Sequence, residues 1–466
     1  MNITTADQII YGEVKNPEKW IGMEFPEVPK SVYERRIQKV RERMQEEKLD
    51  FLFIYADKEH CGNFEYLCGY DPRYEEAALI VPMEGNCHVI LGNECYSLHV
   101  LSKIPVIPHL YQVFSLPNQP FRESSRLDVI LKESGIKKGD RIGVCGWKLF
   151  PEHEGTNGYL DIPWYLIKEL SNQTEGIHCL TDANGIFIHP RDGLRTVNEA
   201  EQISYFEYGA ALTSNKMLDA LDAMEPGKSG QELAEVLSPM GLPMTSHVMF
   251  ASGERTAVSL TSPGSRKIQM GDVINFSFSL RGGLTCRAGY AVEEEEQLRE
   301  DVRDYLEKIV KPYFATAVSW LEQIGIGISG GAMYDLVEKI FPQKKFGWVL
   351  NPGHLTGTEE WLASPIYPGS DILLKSGQIL QLDIIPDSIS PYFTSNLEDG
   401  ILLADKELRE EIRKKYPDMW NRMQKRREYI EQKIGIFMKP EVLPMSNTLG
   451  LLRPFFFNKR KAMKKQ

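Results

Sequence analysis

An acidic residue inside an apolar run places the strongest constraint on what this chain can fold into. Asp383 follows Ile379-Leu-Gln-Leu382 and precedes Ile384-Ile385, a run typical of a buried strand. A buried carboxylate without a partner is costly, so Asp383 needs a nearby cation or a proton. The run therefore predicts a functional site in the core of the fold.

Two further segments each place one ligand-type side chain in a strand or turn. One is Asn351-Pro-Gly-His354-Leu-Thr-Gly-Thr-Glu-Glu-Trp361, and the other is Ser395-Asn-Leu-Glu398-Asp-Gly400. A lone histidine or glutamate on a strand is more often a satisfied structural residue than a ligand. The order and setting of His354, Asp383 and Glu398 as a set favour catalysis or metal binding instead.

Composition excludes several classes of function. The 466 residues are 42% hydrophobic and carry 54 basic against 65 acidic side chains, a net charge of −11 without a sustained basic stripe. This argues against nucleic acid and favours a small-molecule or short peptide partner. The start lacks a secretory pattern and no apolar stretch of about 18 residues occurs, so we expect a cytoplasmic protein without a membrane partner. Seven scattered cysteines indicate reduced thiols.

Helix and strand patterns divide the chain. After an N-terminal extension, residues 1–30, alternating helix and strand patterns over residues 31–190 predict an α/β domain. The Pro- and Gly-containing segment His189–Arg195 is a plausible junction. A second domain then spans 195–405, where two Ser-Gly pairs 100 residues apart, at Ser229 and Ser329, each open a helix pattern. The charged residues 406–466 form a C-terminal extension.

The motifs and their order resemble the creatinase/aminopeptidase family with the pita-bread fold, which includes Xaa-Pro aminopeptidases, prolidases, methionine aminopeptidases and creatinase. The N-terminal likeness rests on Arg35-Arg-Ile-Gln-Lys-Val-Arg-Glu-Arg-Met44 and Phe64-Glu-Tyr-Leu-Cys-Gly-Tyr70. The resemblance implies an α/β N-terminal creatinase-like domain plus an α+β pita-bread C-terminal domain. The C-terminal motifs are Arg195-Thr-Val-Asn-Glu-Ala-Glu201, Ala251-Ser-Gly-Glu-Arg255, Gly271-Asp-Val-Ile274, Gly353-His354, Asp383-Ile-Ile-Pro386 and Glu398-Asp-Gly400.

The resemblance also implies a ligand set. Peptidases of this family bind two divalent ions through two Asp, one His and two Glu. His354 falls on the histidine, Asp383 on the first glutamate and Glu398 on the last. These three residues are the predicted catalytic groups, and together they could hold a single divalent ion such as Mn, Zn or Co.

At four other positions, this alignment places a residue that cannot do what the family's aspartate or histidine does. The first aspartate falls on Ser277, and the second falls near Arg287 or Ala288. The two histidines that handle protons in the family fall on Leu260 and Trp361. A two-ion cluster needs bridging carboxylates, so we expect one ion at most.

Arg287 offers a second way to balance the acids. Its guanidinium could pair with Asp383 and Glu398 in place of a metal, because two adjacent buried carboxylates otherwise raise each other's pKa. A divalent ion beside a guanidinium is repelled, so Arg287 and a metal are alternatives. No cofactor is then needed.

Two hypotheses follow for function. The first is a hydrolase of a C–N bond in a small amide or peptide-like substrate, with one ion or none. The second is a silent protein that keeps the fold and binds a small molecule or peptide. Arg287, Trp361, Tyr290 and Ser277 are predicted to contact the substrate, and the resemblance implies a homodimer.

Overall fold

The computed structural model describes residues 3–120, 124–387 and 389–466, which fall into two units. One unit is Val28–Thr196, and the other joins Met1–Glu27 to Val197–Gln466. The first strand, β1 (Ile9–Glu13), belongs to the second unit. The C-terminal extension and the N-terminal extension up to Glu27 therefore lie in the same unit as residues 197–405, which carry the three predicted site residues.

The Val28–Thr196 unit is built on a six-stranded mixed sheet with the order β5-β4-β3-β2-β6-β7. Its central strands are almost wholly apolar and buried, as expected for strands covered on both faces. The α/β alternation predicted from the sequence is present. The elements are α1 (Lys30–Glu46), β2 (Phe51–Ala56), α2 (Gly62–Cys68), β3 (Ala77–Pro82), β4 (Cys87–Leu91), β5 (Val106–Leu110), α3 (Leu127–Glu133), β6 (Ile142–Cys145), α4 (Trp164–Gln173), β7 (Leu180–Asp182) and α5 (Gly185–Ile188).

The second unit is built on an antiparallel sheet with the order β11-β12-β13-β10-β9-β8, and β14 also pairs with β13. The last strand, β15, pairs with β1. Five of the predicted site residues lie on strands of this sheet, namely Ser277, Arg287, Tyr290, His354 and Glu398. Asp383 directly follows β12, and Trp361 lies outside the sheet. Its elements are α6 (Ala200–Ala223), α7 (Gly230–Val236), β8 (Met249–Ser252), β9 (Val273–Leu280), β10 (Gly283–Tyr290), α8 (Lys311–Gln323), α9 (Gly330–Ile340), α10 (Gln343–Phe346), β11 (His354–Leu355), β12 (Ile379–Leu382), β13 (Asn396–Leu403), α11 (Lys406–Lys415), α12 (Pro417–Tyr429), β14 (Val442–Pro444) and β15 (Lys461–Lys465).

Local sequence explains where the helices of this unit begin. Ser229 and Ser329 are the N-caps of α7 and α9, and each side-chain oxygen accepts a backbone N–H three residues later. These are the two Ser-Gly pairs noted in the sequence, and a long helix precedes each of them. Among the described residues, no helix combines the length and apolar character needed to cross a membrane.

Candidate active site and metal centre

His354 is the first residue of β11 and is completely buried. The preceding Gly353 has φ 140°, a conformation that L side chains rarely adopt, and a Cβ there would lie 3.0 Å from the Gln381 carbonyl oxygen. The Nδ1 atom of His354 lies 3.2 Å from the Leu355 carbonyl oxygen. That oxygen only accepts, so a neutral ring carries its proton on Nδ1 and turns the Nε2 lone pair toward the site.

Three acidic side chains gather on the Nε2 side of His354. A Glu360 carboxylate oxygen lies 3.2 Å from Nε2, and an Asp383 oxygen lies 3.8 Å from it. His354, Glu360 and Glu398 each offer one ligand atom, and these atoms lie within 4.8 Å of one another. The structure therefore brings together the three predicted catalytic residues, and it adds Glu360.

Gln381 connects two of these acids. It pairs with His354 across β11 and β12, and its amide nitrogen lies 3.1 Å from Glu360 Oε1 and 2.6 Å from Glu398 Oε1. The amide oxygen accepts from the backbone N–H of Leu284 at 3.1 Å, which fixes the orientation of the amide. Each carboxylate thus receives one hydrogen bond from a neutral amide, which compensates a negative charge less than a cationic partner would.

Burial and the proximity of the acids to one another shift the pKa values of the site. Burial, followed by the charges of Asp383 and Glu360, raises the pKa of Glu398 well above its usual range. Burial also raises the pKa of Asp383 to about 7, although His354 opposes the shift. Burial acts to lower the pKa of His354, but Glu360 and then Asp383 outweigh it and leave that pKa raised. Without an added cation, the site holds protons that an ordinary surface site would release.

The donor set fits one divalent ion. Nε2 of His354 and Oδ1 of Asp383 are buried and make no hydrogen bond to any described residue. One imidazole and several carboxylates are a ligand set for a divalent transition metal. Within the described residues, this is the only cluster of three or more His, Cys, Asp or Glu side chains with such spacing. The residues do not supply the second cluster of carboxylates that a two-ion site would need.

A row of paired residues crosses the sheet beneath the site. Cys286 of β10 pairs directly with Ser277 of β9 on one side and with Glu398 of β13 on the other. Directly paired residues share a face of the sheet, whereas the next residue along a strand faces the opposite side. Cys286 and, two residues later, Ala288 therefore share a face with Glu398, whereas Arg287 faces the opposite side. Of the two positions that the alignment offered for the second aspartate, Ala288 is the one on the face of the site.

Arg287 does not replace a metal, so that prediction is wrong. Its guanidinium lies on the other face of the sheet, 2.6 Å from the Asp399 carboxylate. Its remaining N–H groups donate to the carbonyl oxygens of Leu451, Cys286, Glu398 and Thr448. The side chain is only 1% exposed and its donors are used, which also excludes the predicted contact with a substrate.

The other predicted substrate contacts have different surroundings. Tyr290 is 5% exposed, packs edge-on against Tyr305, and accepts the Phe393 backbone N–H with its hydroxyl group. Trp361 stacks on the His354 ring at 4.2 Å between centroids and is 36% exposed. Ser277 is buried in the row described above. Contacts of Tyr290, Trp361 and Ser277 with a substrate stay predictions.

The comparisons with known proteins agree with this architecture. Residues 36–149 match the family model of the Creatinase/Prolidase N-terminal domain. No curated protein matches the sequence significantly. Among solved structures, the prolidase from Pyrococcus horikoshii OT3 superposes with a TM-score of 0.61 at 16% identity, over 79% of this chain and 95% of that chain.

Two further structures give the same result. The Xaa-Pro dipeptidase from Bacillus anthracis has a TM-score of 0.61 at 14% identity, over 80% of this chain and 96% of that chain. The prolidase from Thermococcus sibiricus has a TM-score of 0.61 at 18% identity, over 80% of this chain and 95% of that chain. These likenesses establish the fold, and they confirm the pita-bread fold that the sequence motifs predict.

Proposed function

We propose, from the premise of an Xaa-Pro peptidase-like fold, that this chain is a hydrolase of a C–N bond in a small amide or short peptide. Its site is His354, Glu360 and Glu398 around a single divalent ion, with Asp383 beside them. The observation that carries the proposal is the buried Nε2 of His354, which makes no hydrogen bond to a described residue and faces the carboxylates of Glu360 and Asp383. A family-type site with two ions is not proposed, because the row beneath it holds Ser277 and Cys286.

Each residue has a distinct role in this proposal. A divalent ion, when bound, supplies Lewis acidity toward a carbonyl oxygen. His354, Glu360 and Glu398 would hold the ion, and Leu355 orients the imidazole through its carbonyl oxygen. Asp383 would carry the proton that the leaving nitrogen needs, because its Oδ1 makes no hydrogen bond to a described residue. Trp361 covers the histidine ring and limits water at that side.

A specific observation supports the second candidate, a silent binding protein. The Gln381 amide spans Glu360 and Glu398 and satisfies one oxygen of each without any ion. If these acids stay protonated, the site needs no metal. In that case Trp361, partly exposed above His354, would serve as an aromatic contact for a bound peptide or small molecule.

Hydrolysis assays separate the two candidates. The protein is stripped with a chelator, and Xaa-Pro dipeptides and simple amides are then offered with Mn²⁺, Zn²⁺ or Co²⁺. Ion-dependent turnover that is lost in His354→Ala and kept in His178→Ala, an exposed histidine of the other unit, supports the hydrolase. Peptide binding by calorimetry without turnover under any ion supports the silent protein.

A further inference from the structure

The side chain of Gln381 lies between two acids of the candidate site. It is completely buried, and its amide nitrogen lies 3.1 Å from Glu360 Oε1 and 2.6 Å from Glu398 Oε1. A primary amide nitrogen carries two N–H bonds, and an ionised carboxylate only accepts hydrogen bonds. Each acid can therefore receive one N–H bond of the same nitrogen, so that a single neutral group bridges Glu360 and Glu398.

The main chain decides which end of this amide faces the acids. The Gln381 side-chain oxygen accepts the backbone N–H of Leu284, on β10, at 3.1 Å. Strand β13 lies between β12 and β10 in the sheet, and the residue of β13 that pairs with Gln381 is Gly400, which has no side chain to obstruct the crossing. Because the oxygen is held at Leu284, the nitrogen points toward the acids.

The spacing around the amide nitrogen matches the spacing of ligand atoms around a metal ion. A divalent ion such as Zn²⁺ lies about 2.0–2.2 Å from carboxylate oxygens, so neighbouring ligand atoms around one ion are about 3 Å apart. The Gln381 nitrogen lies at 2.6 and 3.1 Å from the two carboxylate oxygens, but it carries hydrogens and offers no lone pair to a metal. An oxygen atom in its place would complete a set of three oxygen ligands.

We propose that Gln381 limits the site to one divalent ion, because its amide places hydrogen-bond donors where a second ion would otherwise be shared by Glu360 and Glu398. This inference rests on the proposed function, in which His354, Glu360 and Glu398 hold a single ion. Two-ion sites depend on carboxylates that bridge ions roughly 3.5–4 Å apart. Gln381→Glu keeps the length of the side chain and exchanges only its amide for a carboxylate, so it should admit the second ion.

Counting ions in full-length, chelator-stripped variants tests the proposal. Each protein is titrated with Co²⁺ by calorimetry, bound cobalt is measured by elemental analysis after dialysis, and EPR spectroscopy reports whether two ions on one chain are magnetically coupled. Wild type should bind one ion and give the spectrum of an isolated Co²⁺. Gln381→Glu should bind two ions, with EPR intensity per cobalt reduced by coupling through the shared carboxylates. Gln381→Met, a control of similar size without polar atoms at its end, should bind one.

A further variant covers the case in which the introduced carboxylate prevents folding, as judged by circular dichroism. Gln381→Ala removes the amide and adds no buried charge, so it should show a second calorimetric binding step that is weaker than the first. If Gln381→Glu is unfolded, a single step in Gln381→Ala overturns the proposal.

The remaining outcomes separate this inference from the proposed function. One ion in wild type and one in folded Gln381→Glu would overturn the role of Gln381 while the single-ion site stands. Two ions in wild type or in Gln381→Met would also overturn it, because the amide would then not limit the count. No ion in wild type would overturn the metal-dependent form of the proposed function itself.

Discussion

Two neighbouring acids on β13, Glu398 and Asp399, have opposite electrostatic surroundings. Glu398 and Asp399 are both buried, at 4% and 0% exposure, but alternation along the strand sends them to opposite faces. Asp399 meets the guanidinium of Arg287 at 2.6 Å. Glu398 meets a neutral amide, from Gln381, and further acids.

The Asp399 side is a closed polar network. Besides Arg287, the carboxylate accepts hydrogen bonds from the hydroxyl groups of Thr285, Ser446 and Thr448 at 3.2, 2.5 and 2.8 Å. Buried charges are tolerated when they are paired and fully hydrogen-bonded, and this network meets both conditions. The Glu398 side meets neither, so the comparison separates an acid that stabilises the fold from one that is available for an ion or a proton.

The largest expected effect comes from removing the cation of the closed network. Arg287→Met leaves Asp399 buried without its ion pair, which should lower the free energy of unfolding by about 3–5 kcal/mol in urea denaturation. Lys459→Met, which breaks an exposed pair with Glu225, is the control and should cost less than about 1 kcal/mol. Equal losses in the two variants would contradict the structural role of Arg287.

The acids on the face of the sheet that carries Glu398 should make the stability of the metal-free protein depend on pH. Asp383 has its pKa raised to about 7 from 3.8, so the folded chain keeps a proton that the unfolded chain has already lost. The stability contribution is complete below about pH 4 and is lost as the pH rises to about 7, a change of a few kcal/mol. Denaturation in the presence of a chelator across this range measures it.

Asp383→Asn tests the origin of this pH dependence. The amide cannot titrate, so the fall in stability between pH 4 and 7 should shrink, whereas Asp301→Asn, at an exposed position, should leave it unchanged. If stability instead rises over that interval in wild type, the acids of this face are already compensated within the protein.

A bound divalent ion should stabilise the fold, because it would neutralise the acids on the face of the sheet that carries Glu398. Zn²⁺ at 100 times its Kd should stabilise the fold by about 2.7 kcal/mol, seen as a higher Tm. Glu360→Gln removes a ligand and should abolish most of this gain, while the neighbouring Glu359→Gln should keep it. The same gain in both variants would place the ion elsewhere.

The smallest effect is expected at the aromatic cover of the site. Trp361→Ala removes the ring stacked on His354 and should cost roughly 0.5–1.5 kcal/mol. Trp164→Ala, at a position that is 68% exposed in the other unit, should cost less than about 0.5 kcal/mol. Unfolding curves of the two variants compare them directly, and indistinguishable curves would show that the stack contributes nothing.

The two faces of the sheet also explain which site residues could be predicted from the sequence alone. His354, Asp383 and Glu398 could be predicted because each stands in a motif with a fixed order along the chain. Arg287 and Ala288 could not be told apart as the position of the second aspartate, because a shift of one residue across a hairpin exchanges the two faces. The β9–β10 register depends on the turn at Gly282, whose length no counting along the chain reveals.

Two residues of the site escaped prediction for another reason. Glu360 lies in the irregular segment after β11, where no period links sequence to direction, although the acidic pair before Trp361 was a visible signal. Gln381 shares a face with Asp383 on the same apolar run, yet an amide in a strand has no signature of its own. The role of Tyr290 stays a prediction, because aromatic residues line pockets and fill cores alike.

Counting the ions bound per chain tests the central claim most directly. Chelator-stripped protein is titrated with Zn²⁺ by calorimetry, and bound zinc is measured by elemental analysis after dialysis. The proposed site of His354, Glu360 and Glu398 predicts one ion per chain in wild type and none in His354→Ala. Two ions per chain, or no ion in wild type, would contradict the account.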